Sequence, residues 1–415
     1  MKFMIPRILF ITIFSAFLIA GCADRNETET ELPGLQQHIE WLADDQREGR
    51  LAGTSSEAES ANYIADYFLR VGASPAGDDG TYFQQFTLEG PMPQAMNVEN
   101  HISRNVVAFI EGEEHPGRYI ILGAHYDGQG SGGIISMDHG GEPSIHNSAD
   151  DNSSGTAALL ELARHYAENR PSVSVVFAAF SGEELGLIGS SHFVDTMEID
   201  VEDILAMINM DMIGRMEEDK LTIFGTGSAD IWDSLLDDIS DDSLDITRTP
   251  SGSGASDHAS FYRTGIPVLH YFTGTHDDYH RPTDTADKIN YTGIEKVMSH
   301  VIETVEELSR YSPDEIEFRE STDPRQTGVM MDGPSLGVTP DYNWGGEGFR
   351  ISSVREGMPA KEAGLEAGDL IIQIGDKKIA DIYEYMETLS DYDVGDTMEV
   401  TVLRDDETLT FTIQF

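Results

Sequence analysis

Five stretches of the chain carry histidine and carboxylate side chains in settings suited to metal chemistry. They are His125-Tyr126-Asp127, Asp150-Asp151-Asn152, Ser181-Gly182-Glu183-Glu184, Asn209-Met210-Asp211 and Tyr279-His280. The adjacent pair Glu183-Glu184 is the centre of the pattern. Neighbouring residues leaving a strand need not point the same way, so one carboxylate can bind a metal while the other reaches a water beside it. An acidic pair alone is as readily a solvated helix start, where carboxylates complement the helix dipole. The other four stretches decide against that reading, because each follows an apolar run or opens a helix. Two histidines, two aspartates and a glutamate suit a pair of zinc ions better than copper or iron, and imidazole is a poor ligand for calcium. Zinc pairs ~3.5–4 Å apart share a bridging carboxylate and act on a common water. A carboxylate outside the metal shell then takes that water's proton, a role that Glu183 beside Glu184 fits.

The elements that must hold these residues alternate between strand and helix. Apolar runs at 119–124, 174–180, 204–210 and 266–272 read as strands buried on both faces. Helices are expected over 156–168, with serines placed to cap it, and over 293–311. Earlier, 35–43 reads as a helix and 48–54 as a turn. A second helix over 56–71 places Ala58, Ala61, Ile64, Ala65, Phe68 and Leu69 on one apolar face, with Gly72 as its C-terminal cap. Segments 82–88 and 105–110 look like strands. This alternation predicts an α/β fold, a mixed, largely parallel sheet flanked by helices. Ligands of open α/β sheets bind at the carboxyl ends of the strands. His125, Glu183, Glu184, Asp211 and His280 all fall there, and Asp151 lies in a loop that opens a helix.

Composition bounds the rest. The 415 residues include 75 Asp plus Glu against 26 Lys plus Arg, a formal net charge of −49. Such a surface repels nucleic acid and anionic headgroups, and suits a medium where salt relieves self-repulsion. The one cysteine excludes an intramolecular disulfide and a cysteine-based zinc site. Lys2 and Arg7 precede an apolar run at 8–20, too short for a comfortable membrane span and suited to a signal peptide. It ends Leu18-Ile19-Ala20-Gly21-Cys22, which resembles the lipobox of bacterial lipoproteins. That resemblance implies a signal peptide at 1–21, lipidation of Cys22, an acidic tether at 22–33, and an exported protein anchored on the periplasmic or cell-surface side of a membrane.

Taken together, His125-x-Asp127, Asp150-Asp151-Asn152-x-Ser154-Gly155, Glu183-Glu184-x-Gly186-Leu187-x-Gly189-Ser190, Asn209-Met210-Asp211-Met212-Ile213-Gly214 and Tyr279-His280-x-Pro282 resemble the M28 family of co-catalytic zinc peptidases. Every motif is in family order over roughly residues 35–310. In that family the bridging aspartate stands four residues before the glycine of the Asp-x-x-Ser-Gly run, which selects Asp151. The resemblance implies one Zn2+ on His125, Asp151 and Asp211 and a second on Asp151, Glu184 and His280. Glu183 is then the general base and acid. Asp127 is expected to accept the free ring N–H of His125, and Asp150 to support its loop. Tyr279 is expected either to hydrogen-bond a tetrahedral intermediate or simply to pack, and Asp257 of Ser256-Asp257-His258 to support the pocket. His139, His146, His270 and His276 read as loop or core histidines, and loop 128–146 as a border of the cleft.

A peptidase-like domain is thus expected over 34–311, with a linker at 312–327. Residues 328–415 resemble a PDZ domain through Gly346-Glu347-Gly348-Phe349 and the run 349–374. The Gly346-Glu347-Gly348 loop would offer N–H groups to a terminal carboxylate, and strand 349–354, including Ile351, would accept a peptide as an added strand. Glu347 opposes such a carboxylate electrostatically. The resemblances imply an exopeptidase with two Zn2+, most naturally an aminopeptidase acting on peptides. Carboxypeptidase and glutaminyl cyclase activity occur on similar folds, and a non-catalytic scaffold acting through the PDZ-like part is the reading from a different class.

Overall fold

The computed structural model describes residues 32–96, 98, 100–138, 143–240, 243–321, 336–340, 348–354, 358–380, 382–389, 392, 395–404 and 407–415. The signal peptide and Cys22, most of the tether, His139, linker residues 322–327, and Gly346 and Glu347 lie outside the described residues. The first sheet has nine strands: β1 Ser74–Pro75, β2 Phe83–Thr87, β3 Ile102–Ile110, β4 His115–His125, β5 Val173–Phe180, β6 Ile204–Met210, β7 Lys220–Phe224, β8 Asp245–Thr249 and β9 Val268–Phe272. The second has six: β10 Val338–Pro340, β11 Phe349–Val354, β12 Leu370–Ile374, β13 Lys377–Lys378, β14 Thr397–Arg404 and β15 Glu407–Gln414. The α-helices are α1 Leu35–Leu42, α2 Ser55–Val71, α3 Pro91–Ala95, α4 Gly155–Glu168, α5 Ile188–Thr196, α6 Trp232–Ile239, α7 His258–Tyr262, α8 Tyr291–Leu308, α9 Pro359–Ala363 and α10 Ile382–Leu389.

The first sheet runs β1-β3-β5-β4-β6-β9-β7-β8, with β2 also on β3. Its centre, β5-β4-β6-β9, is parallel, while β3 against β5 and β7 against β9 are antiparallel. All eight residues of β5 and all seven of β6 are buried, as an uninterrupted apolar run requires when both faces are covered. Because the four central strands are parallel, their carboxyl ends share one edge. That edge bears His125, and Glu183 and Asp211 follow it directly.

Two local expectations change. On α2 the predicted face is buried at Ala61, Ile64, Ala65 and Phe68, but Leu69 is 63 % exposed. The buried stripe turns instead through Ser56, Glu57 and Ser60, because a hydroxyl and carboxylate network beneath the ligand loops needs polar partners there. Gly72 does cap the helix in the left-handed conformation. At α4 no serine caps the first turn: Asn152 Oδ1 accepts the Gly155 N–H at 2.9 Å, while Ser154 Oγ donates to Asp150 O.

The second sheet runs β10-β11-β12-β14-β15, with β13 on β12. Its core contains Phe349, Ile351, Ile371, Leu389 and Val400. The strand expected to accept a peptide is already occupied over its second half, where Ile351, Ser353 and Val354 pair with β10. The free edge is therefore narrower than expected. Ile351 is core, and the Phe349 ring stacks on Tyr385 with centroids 4.0 Å apart.

Candidate metal centre

Each imidazole of the centre is fixed from behind by a main-chain carbonyl. His125 Nδ1–H donates to Asp127 O at 3.2 Å, and His280 Nδ1–H donates to Ile135 O at 3.0 Å. A proton on Nδ1 leaves the Nε2 lone pair of each ring pointing into the site. Asp127 thus accepts the ring N–H of His125 through its carbonyl, while its carboxylate Oδ1 stands 3.6 Å from Nδ1. That carboxylate also holds the neighbouring loop, its Oδ1 accepting the N–H of Glu183 at 3.2 Å.

The carboxylates facing the rings divide their oxygens. Asp151 Oδ1 lies 3.3 Å from His125 Nε2, and its Oδ2 lies 3.2 Å from His280 Nε2. Asp211 Oδ1 is 3.3 Å from His125 Nε2, while Oδ2 accepts from Ser256 Oγ at 2.8 Å. Glu184 Oε2 is 3.6 Å from His280 Nε2, while Oε1 accepts from Gln129 Nε2 at 3.2 Å. Glu183 Oε2 stands farther off, 3.9 Å from His125 Nε2. The edge of a zinc tetrahedron with ~2.1 Å bonds is ~3.4 Å, the spacing of these donor atoms.

Lone pairs facing carboxylates repel unless a cation or a proton lies between them. His125 Nε2 and Asp211 Oδ1 are both buried with no hydrogen-bond partner, which a buried polar atom rarely tolerates. Among the described residues, two groups of donors lie close enough to hold an ion, His125 with Glu183 and Asp211, and Asp151 with Glu184 and His280. The residues present fit two divalent ions of borderline hardness sharing Asp151. Titration agrees. Burial works against protonated His125, but Asp211 and Glu183 outweigh it and raise its pKa well above the usual value. Burial, then Asp151, pushes Glu184 up to about 8. Burial raises Glu183 strongly, with Asp211, Asp257 and Glu184 adding to it. The site demands positive charge.

Supporting residues surround this core. Asp150 takes the Gly214 N–H on Oδ1 and His276 Nε2 on Oδ2, as a loop support would. Asp257 is fully buried and pushed up to about 7, chiefly by burial. The Tyr279 ring lies against His280, centroids 3.9 Å apart. His146 bonds Ser136 and Ser144, and His270 bonds Asn209, so both are held away from the ligand set. Loop 128–146 supplies Ile135 O and Gln129 to the site, more than a border. Three supports escaped the sequence reading: Gln129, Arg50 and Asp284, whose Oδ2 accepts the N–H groups of Asp150 and Asp151. The glycines beside Arg50 and Gln129 were the available signal; for Asp284 the sequence carried none.

Residues 105–305 match the sequence model of Peptidase family M28, and residues 317–415 match that of the PDZ domain. A probable zinc metalloprotease of Pyrenophora teres f. teres is 42 % identical over 110 residues, 26 % of this chain and 22 % of that protein. Aminopeptidase YwaD of Bacillus subtilis is 30 % identical over 207 residues, 46 % of this chain and 41 % of that protein. The chain thus spans less than half the length of these curated relatives. BSAP, a zinc aminopeptidase from Bacillus subtilis, superposes with a TM-score of 0.50 at 20 % identity, covering 66 % of this chain and 95 % of the other. The Legionella pneumophila LapA aminopeptidase gives 0.51 at 20 %, covering 67 % and 72 %. These likenesses show a shared fold over 66–67 % of this chain.

Proposed function

We propose that the chain is a di-zinc exopeptidase that removes N-terminal residues from peptides. The observation that carries this reading is the division of Asp151, one oxygen to each of two imidazoles held in the same tautomer. His125 and Asp211 would hold one ion and Glu184 and His280 the other, with Asp151 shared. When bound, the ions supply Lewis-acid polarisation of a carbonyl and make water a stronger acid.

The remaining work belongs to the chain. Glu183 is held over the site by the Asp127 carboxylate at its N–H. Its Oε2, 3.9 Å from His125 Nε2, is placed to take a proton from attacking water and return it to the leaving amine. The Tyr279 ring packs on His280, and we assign its hydroxyl to a developing oxyanion. Relatives that carry the name aminopeptidase support cleavage at a free N-terminus. Arg50 is fully buried on main-chain carbonyls and offers nothing to an anion. Aminopeptidase action therefore fits better than carboxypeptidase action. The lipobox-like leader supports work outside the cytoplasm, tethered to a membrane through Cys22, and the PDZ match supports a peptide-binding role for residues 328–415.

Glu183→Ala tests the mechanism. It is expected to keep the fold and about two zinc per chain while turnover of aminoacyl substrates falls at least ~100-fold. N-blocked and carboxyl-terminal substrates are expected to stay uncleaved, and a chelator to abolish activity. Full activity of Glu183→Ala, or preference for N-blocked peptides, would overturn the reading.

A further inference from the structure

Arg50 is a charged side chain with 0 % exposure and, among the described residues, no carboxylate within salt-bridge distance. Its guanidinium instead spans four main-chain carbonyls. Nε donates to Tyr126 O at 2.9 Å, Nη1 to Leu42 O at 2.5 Å and Asn147 O at 3.0 Å, and Nη2 to Ser148 O at 3.1 Å. Tyr126 adjoins His125. Asn147 and Ser148 lead into Asp151. A planar, rigid fork that grips both segments fixes their separation, which a flexible ammonium cannot do.

The main chain around Arg50 continues the same grip. Arg50 O accepts the Gly128 N–H at 3.2 Å, Gly49 O accepts the Gly130 N–H at 2.9 Å, and Gly130 O accepts the His146 N–H at 2.8 Å. These bonds bracket Gln129, the donor that orients Glu184. The approach is close enough to require glycine: a Cβ on Gly49, at φ +72°, would stand 2.4 Å from Gly130 O and 2.6 Å from His146 O.

We infer that Arg50 is a positioning residue for both metal sites, setting the His125–Asp151 spacing through its guanidinium and the Glu184 carboxylate through Gln129. The inference rests on the di-zinc reading above. Electrostatics agree with it. Burial lowers Arg50 to about 10, while Asp127, Asp284, Asp151 and Glu184 act to raise it. It therefore stays cationic at neutral pH and offsets the acids of the centre from beneath.

The test is zinc affinity, measured by competition with a chromophoric chelator on the full chain. Arg50→Lys keeps the charge and loses the fork, and Arg50→Gln loses both. Leu235→Ala, a fully buried core truncation on α6, controls for lowered stability. The expected result is zinc binding ~10–100-fold weaker in Arg50→Lys, weaker still in Arg50→Gln, and unchanged in Leu235→Ala despite a lower melting temperature. The inference is overturned if Arg50→Lys binds zinc as wild type does, if Leu235→Ala loses as much affinity, or if neither Arg50 variant folds. Wild-type chain that takes up no zinc would instead remove the metal reading itself.

Discussion

Gly155→Ala should damage both stability and turnover, although alanine is the better helix former. Gly155 opens α4 with φ −66°, so alanine meets no conformational strain and only the contact is tested. A Cβ there would lie 2.2 Å from Met210 O and 2.5 Å from Asn152 Oδ1. Real Cβ contacts essentially never fall below 3.0 Å, so the shortfall against the carbonyl is at least 0.8 Å (3.0 − 2.2). Helix propensity favours alanine by about 1 kcal/mol. Overpacking costs about 1–3 kcal/mol, and the upper end applies because the nearest obstacle is a main-chain carbonyl, itself bonded to Asn152 Nδ2 at 2.9 Å. The net expectation is a loss of about 2 kcal/mol. Relief of the contact must push β6 from the start of α4, and so Asp211 from Asp151. A displacement of ~1 Å at reacting groups costs ~100-fold in rate. Urea unfolding gives the first quantity and aminoacyl-substrate turnover at saturating zinc the second. A Gly155→Ala protein at least as stable as wild type, with turnover within about twofold, would refute the packing account of this glycine.

Further predictions concern charge. Glu161 sits between His38, Tyr67 and Arg164. Burial opposes its ionisation, but His38, with Nε2 3.4 Å from Oε1, and Arg164 outweigh it and hold its carboxyl below the usual glutamate value. A depressed folded pKa gives stability that is fully present above ~4.5 and lost as pH falls through the folded value. Glu161→Gln should cost about 2 kcal/mol near neutrality and flatten the acid limb of the stability profile; an unchanged limb in urea titrations would contradict this. The net charge of −49 predicts that the urea midpoint rises from 0.1 M to 1 M salt, as the Debye length shrinks from ~10 Å to ~3 Å. A flat or falling midpoint would show that self-repulsion is not a significant cost.

The layered plan and the acids and histidines at the strand ends can be read from residue order alone, because both are local. An uninterrupted apolar run such as 204–210 has nowhere to go but a strand covered on both faces, and the residue that leaves it must emerge at the sheet's edge. His125, Glu183, Glu184, Asp211 and His280 were legible on those grounds, whereas Asp151 was told from Asp150 by the family resemblance. Tertiary structure decided what each atom does. Whether Asp127 meets His125 by carboxylate or carbonyl depends on the turn after β4, not on residue type. Leu69 faces water because α2 turns its polar stripe toward Ser103 and Tyr126, partners distant in the chain. Arg50, Gln129 and Asp284 support the centre through long-range hydrogen bonds to main-chain groups and to Glu184, and such bonds leave no periodicity or spacing in a sequence. Local patterning fixes which side chains arrive at the edge of a sheet; only the folded chain fixes which lone pair of each is left free.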